Sequence, residues 1–96
     1  MTKVFLTFYK GRKEISKTIE TSINEYAANK GGAIAIDGNI SWYNHPDKAR
    51  IFIPEQKKVY FYRITYKPYY ASRAAERAGI VTSYTHENKL TYTKSV

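Results

Sequence analysis

The chain predicts a single α+β domain in the order β-α-β-β-β-β-α-β-β, an antiparallel sheet packed by one long amphipathic helix. Three observations lead there. The 96 residues suffice for one modest core. Ile15, Ile19 and Ile23 recur at helical spacing. Four strand-like runs follow one another between Ala33 and Lys67, which makes an antiparallel meander the expected core.

Lys3 to Lys10 is dense in Val, Phe, Leu and Tyr, with Val4, Leu6 and Phe8 on one side and Phe5, Thr7 and Tyr9 on the other, as in a strand. Gly11 ends it. From Arg12 to Lys30 the stripe of Ile15, Ile19, Ile23 and Tyr26/Ala27, with Lys13, Lys17, Glu20 and Glu25 off it, predicts the long helix. Asn29-Lys30-Gly31-Gly32 closes that helix. Ala33 to Ile36 and Ile40 to Tyr43 flank Asp37-Gly38-Asn39, the signature of a tight hairpin, with Trp42 as a core anchor.

After the turn Asn44-His45-Pro46-Asp47, a second pair of strands is expected at Arg50 to Ile53 and Val59 to Lys67, joined by Pro54-Glu55-Gln56-Lys57. Tyr60, Tyr62 and Tyr66 share a face with Ile64 and are read as core, packed on the first helix. Pro68 then pre-sets the start of a second helix whose Ala71, Ala74, Ala75 and Ala78 form an apolar stripe opposite Arg73, Glu76 and Arg77, and Gly79 stops it. Ile80, Thr82 and Tyr84, then Leu90, Tyr92 and Lys94, predict a closing hairpin about His86-Glu87-Asn88. No repeat or linker suggests a second domain.

The absence of cysteine excludes disulfides, thiolate metal sites and a cysteine nucleophile, and an intracellular, cytoplasmic setting is the simplest expectation. No run approaches the roughly 20 apolar residues that span a bilayer, and the opening apolar patch is too short and interrupted for a signal peptide, so no membrane partner is expected. His45 and His86 fall in expected turns far apart, so no metal site is called for. The carboxylates lie on the helix exterior, in turns or near basic neighbours, and no local spacing arranges a nucleophile with its base. Gly31-Gly32 follows a helix, whereas a phosphate-cradling loop opens one. The expectation is a protein that is not an enzyme and carries no cofactor.

The net charge of +8 is uneven: residues 1–48 contribute +2 and residues 49–96 contribute +6. Residues 57 to 77 hold six Lys/Arg and five Tyr against one acid, Glu76, a mixture suited to phosphates and base faces. Lys, Ile, Tyr and Asn make 36 of the 96 residues, all favoured by A/T-rich codons, so base composition alone could supply part of this charge. The segment Tyr69 to Lys94, with its arginine-bearing Ala helix, Gly stop and basic ribbon, resembles in outline the recognition helix and wing of winged-helix DNA-binding domains. The order helix, strands, helix over Lys13 to Ala78 resembles a double-stranded-RNA-binding domain, with Pro68-Tyr69-Tyr70-Ala71-Ser72-Arg73 standing where that family places a lysine cluster.

These features point to nucleic acid, DNA or RNA, bound mainly through phosphates by Arg63, Lys67, Arg73, Arg77 and Lys89, with Tyr69 or Tyr70 as a stacking partner. The rival expectation is a small inhibitor or adaptor encoded by a virus or mobile element, whose Tyr/Arg surface engages an acidic protein. The two-stranded C-terminal ribbon also offers an edge through which two copies could pair as a homodimer.

Overall fold

The structure, a computed structural model, describes residues 1–40 and 45–96. Its frame is an antiparallel sheet of six strands: β1 (Thr2–Lys10), β2 (Lys13–Glu14), β3 (Ile19–Ile23), β4 (Lys48–Ile53), β5 (Lys58–Tyr69) and β6 (Ser83–Ser95). Across it the order is β2-β1-β4-β5-β6, with β3 sharing the outer side of β1. Three short helices are added: α1 (Glu25–Asn29), α2 (Ile34–Asn39) and α3 (Arg73–Ala78).

The sheet has one covered face and one open face. Val4, Leu6 and Phe8 of β1, Ala49, Ile51 and Ile53 of β4, and Tyr62 and Ile64 of β5 are buried on the covered face beneath Ala28 of α1 and Ala35 and Ile36 of α2. The alternation of Val4, Leu6 and Phe8 matches the β1 part of this core; of the three tyrosines expected in it, Tyr62 is buried there, while Tyr60 and Tyr66 are half-buried against it and none packs on a long first helix. Tyr62 Oη donates to the Gly31 carbonyl at 2.8 Å, and Tyr60 Oη donates to Gln56 Oε1 at 2.6 Å. Gly31 and Gly32 both have positive φ, and their amides close α1 on the Ala28 and Ala27 carbonyls at 3.0 and 2.9 Å. A Cβ on Gly31 would overlap the Tyr62 hydroxyl.

The long helix over Arg12 to Lys30 does not form; among the described residues no helix exceeds six residues. In its place stand β2, β3 and the five-residue α1. Ile19 and Ile23 are four apart, and positions i and i+4 lie on one side of a strand as well as of a helix. The β-branched run through Thr18, Ile19, Thr21 and Ile23 then favours the strand, which pairs with β1 from Thr2 to Leu6.

The hairpin expected about Asp37-Gly38-Asn39 is replaced by α2, in which Gly38 has no positive φ and Asn39 Nδ2 donates back to the Ala35 carbonyl at 2.8 Å. Of the strand expected at Ile40 to Tyr43, residues 41–43, Trp42 among them, lie outside the described residues, while Ile40 caps the end of α2, its amide donating to the Ile36 carbonyl at 2.9 Å. The Pro54–Gln56 turn between β4 and β5 is where expected, closed by Lys57 in the left-handed region.

Pro68 does not open a helix. β5 runs through it to Tyr69, which is tolerated because β5 has a single neighbour at that height. The helix starts after Ser72, whose Oγ accepts from the Ala75 amide at 3.1 Å, and Gly79 in the left-handed region ends it as expected. Nothing in α3 is buried, so its alanines do not dock on the core. The closing hairpin about His86-Glu87-Asn88 is absent too: residues 83–95 form one strand whose partner is β5.

Beyond Arg63 β4 no longer accompanies β5, and β5 and β6 continue as a two-stranded ribbon tipped by α3. The molecule is accordingly elongated, 49 × 28 × 21 Å, with a radius of gyration of 15.2 Å against about 12–13 Å for a compact chain of this length.

Candidate nucleic-acid interface

Strand alternation and register together define what the open face displays. One row across the sheet is Tyr9, Lys48, Arg63 and Lys89, each directly opposite the next. The adjoining row is Thr7, Arg50, Phe61 and Tyr92, and the third is Phe5, Phe52, Val59 and Lys94, of which Thr7 and Val59 are buried and not displayed. Neighbouring strands are about 4.8 Å apart, so Lys48, Arg63 and Lys89 stand side by side with no acid between them. All three are exposed. Like charges directly opposite one another are destabilising, so the fold does not call for this row on its own account.

The acids of this face lie at its margins. Glu14 is opposite Tyr9 on β2, Glu20 on β3 is paired with Lys3 at 3.0 Å, and Glu87 is opposite Thr65 on the ribbon. On the opposite face His86 Nε2 lies 2.7 Å from Asp37 Oδ1.

A bulge in β6 composes the aromatic part of the face. Leu90 is opposite Tyr62 and Tyr92 is opposite Phe61, so Thr91 has no counterpart, and its hydroxyl donates to the Phe61 carbonyl at 3.0 Å. The extra residue shifts the phase of the strand. Leu90 falls on the covered side, while Tyr92 and Lys94 join Lys89 on the open side, instead of Leu90, Tyr92 and Lys94 sharing one face as simple alternation implies. Phe61 and Tyr92 meet with ring centroids 5.5 Å apart, and Phe5 stacks on Phe52 at 6.2 Å. Beside Phe61 a hollow of about 240 Å³ is lined by Tyr9, Gly11, Lys48, Phe61, Arg63 and Thr91. Lys48 Nζ donates to the Gly11 carbonyl at 3.3 Å across its rim.

Of the residues singled out in the sequence, Arg63 and Lys89 are brought together in the first row, and Lys67 and the exposed Tyr69 follow along β5 on the same side. Arg73 and Arg77 are exposed on α3 at the ribbon tip, with Tyr70 half-buried just before it. Tyr69 is six residues from Arg63, roughly 20 Å at strand rise, so the expected site divides into a sheet part and a tip part. The winged-helix outline is not reproduced, since the ribbon strands flank α3 rather than follow it. The double-stranded-RNA-binding order fails with the missing first helix. Sequence reasoning missed Tyr9, Lys48, Arg50, Phe61, Tyr92 and Lys94, because their proximity comes from pairing between distant segments.

The covered face of the ribbon is chemically different. Asp37 Oδ1 lies 2.7 Å from His86 Nε2 and accepts from Asn88 Nδ2 at 2.8 Å, tying α2 to β6. His86 therefore lies in a strand, in hydrogen-bond contact with Asp37, and not in a solvated turn. His45 lies between Tyr66 and Tyr84, 5.2 Å from each ring. Tyr66 Oη donates to the Pro46 carbonyl at 2.7 Å. Burial, and secondarily the Asp47 charge, pushes the Tyr66 phenol up to about 12; burial and then Tyr60 push Tyr62 up to about 12. Among the described residues no cluster of three or more His, Asp or Glu could hold a metal ion, and no helix is long and apolar enough to cross a membrane.

Compared with protein-family models, curated proteins and solved structures, the chain matches none.

Proposed function

We propose that this protein binds nucleic acid on the open face of its sheet, with Lys48, Arg63 and Lys89 as the phosphate-binding row and Arg50 and Lys94 beside it. The observation that carries this reading is the row itself. Three cations sit adjacent without an intervening acid among the described residues, next to Phe61 and the exposed Tyr92. A face kept only for solubility gains nothing from placing like charges opposite one another, whereas a phosphate backbone relieves their repulsion. Composition drift toward Lys explains a total charge but not its alignment in one row of the ladder.

Lys67, Tyr69, Tyr70, Arg73 and Arg77 extend the basic surface along the ribbon and serve a longer ligand. The role is positioning and affinity; no reaction is involved.

The test is fluorescence polarisation of labelled DNA and RNA oligonucleotides over a salt series. Binding should weaken steeply with salt, with a log–log slope near −3 to −4 for four or five neutralised phosphates. The double substitution Arg63→Glu with Lys89→Glu should lower affinity at least tenfold while the circular dichroism stays unchanged. Unaltered affinity in that variant would move the site elsewhere. Absence of any nucleic-acid binding, together with capture of a protein that survives nuclease and moderate salt, would establish the acidic-partner reading instead.

A further inference from the structure

We infer that the nucleic acid taken by the open face is an unpaired strand, with one base seated in the hollow between Tyr9 and Phe61 and a neighbouring base on Tyr92. This rests on the proposed function and specifies its ligand.

The first argument is one of width. Where Tyr9, Lys48, Arg63 and Lys89 align, the sheet is five strands across, roughly 19 Å between its outer strands. A duplex major groove is about 12 Å wide and admits a helix or two strands, so this face cannot enter it. Its aromatic side chains can meet base faces only where the bases are splayed out of pairing.

The second argument is the arrangement of charge and rings. The cations of the first row stand over one side of the hollow, through Lys48 and Arg63, while Phe61 and Tyr9 form its walls. A nucleotide presents this same combination, an anionic phosphate one sugar away from a flat aromatic base. Base–aromatic stacking is indifferent to base identity, so the surface suits a strand of any sequence.

The third argument is the bulge. Were Thr91 paired opposite Phe61 in regular alternation, Tyr92 and Lys94 would both turn to the covered side. The Thr91 hydroxyl holds the bulge on the Phe61 carbonyl, so one irregularity supplies both a second stacking ring and a further cation.

Four probes of equal length decide the matter: oligo-dT, oligo-U, a hairpin duplex, and a sugar-phosphate strand made abasic. Affinities are measured by polarisation, and stacking by quenching of 2-aminopurine placed in the single strand. The wild-type protein should favour one or both unpaired strands over duplex and abasic strand by at least fivefold, and should quench the probe. Tyr9→Leu, Phe61→Leu and Tyr92→Ala should each weaken single-strand binding roughly 5- to 100-fold and reduce quenching, with the abasic strand and the salt slope unaffected. Circular dichroism checks that each variant folds, and Tyr92, 57% exposed, can be removed without opening the core. Duplex bound as tightly as single strands, or the three variants within twofold of wild type on oligo-dT and oligo-U, would overturn the inference while leaving phosphate binding intact. No binding to any of the four probes would overturn both. Preference between oligo-dT and oligo-U distinguishes DNA from RNA as the source of the strand.

Discussion

Arg63 of β5 stands directly opposite Lys89 of β6, cation against cation on the exposed face of the sheet. Such a pair opposes folding by about 0.2–1 kcal/mol relative to a neutral one. Lys89→Thr should therefore raise stability by a few tenths of a kcal/mol in urea denaturation while weakening nucleic-acid binding and flattening its salt slope by about 0.7–0.9. A loss of stability on this substitution would show that the pair is not held in repulsion.

The tip arginines should act only on long ligands. α3 buries nothing, so Arg73→Glu with Arg77→Glu should leave circular dichroism and melting temperature unchanged. The tip lies some 20 Å or more from the Arg63 row, well beyond a screening length of about 8 Å at physiological salt. Affinity for a strand of about 5 nucleotides should be unaffected, and affinity for one of about 16 should fall. Equal loss on both lengths would place the tip within the central site.

Gly31 is required twice, by its φ of +88° and by the Tyr62 hydroxyl that fills the space of a side chain. Gly31→Ala should destabilise by at least about 2 kcal/mol, from the left-handed backbone and the displaced hydroxyl together. Tyr62→Phe, which only removes the donor to the Gly31 carbonyl, should cost about 1–3 kcal/mol. Thermal or urea denaturation measures both.

The same phenol makes stability pH-dependent at the alkaline end. Tyr62 titrates near 10 when unfolded and about 12 when folded, so the folded state holds its proton longer. This contribution is complete below pH 10 and is lost as pH rises through 12, a fall of about 2–3 kcal/mol. Denaturation at pH 9, 10.5 and 12 should follow that decline, and Tyr62→Phe should lessen it. A profile unaltered by the substitution would assign the decline to other tyrosines.

Ile51, fully buried at the centre of β4, should cost about 2–5 kcal/mol on truncation to Ala. Ile19, only half-buried on the edge strand β3, should cost less than Ile51, although its spacing alone marks it as the heart of an amphipathic helix. Equal losses would restore Ile19 to the core.

Strands β1, β4 and β5, the turn between the latter two, the glycine stops at Gly31 and Gly79, and the tyrosines of the core were legible in the sequence. Each rests on local period and turn chemistry. Arg63, Lys67 and Lys89 were legible as cations in a basic half, though not as members of one face.

What stayed hidden was non-local. A spacing of four residues suits a strand as well as a helix, so Ile15, Ile19 and Ile23 could not say which they would form. Partner choice decided it, when β1 offered its outer edge to residues 19–23. Pro68 and the His86-Glu87-Asn88 segment read locally as a helix start and a turn, yet pairing between β5 and β6 drew both into strands. The proposed site depends on the same pairing: Tyr9, Lys48, Phe61 and Tyr92 are brought side by side by ladder register, and a single unpaired residue, Thr91, determines that Tyr92 faces outward. Composition can place charge and aromatic rings in a chain, but only the hydrogen-bonded register between distant strands determines which of them share a surface.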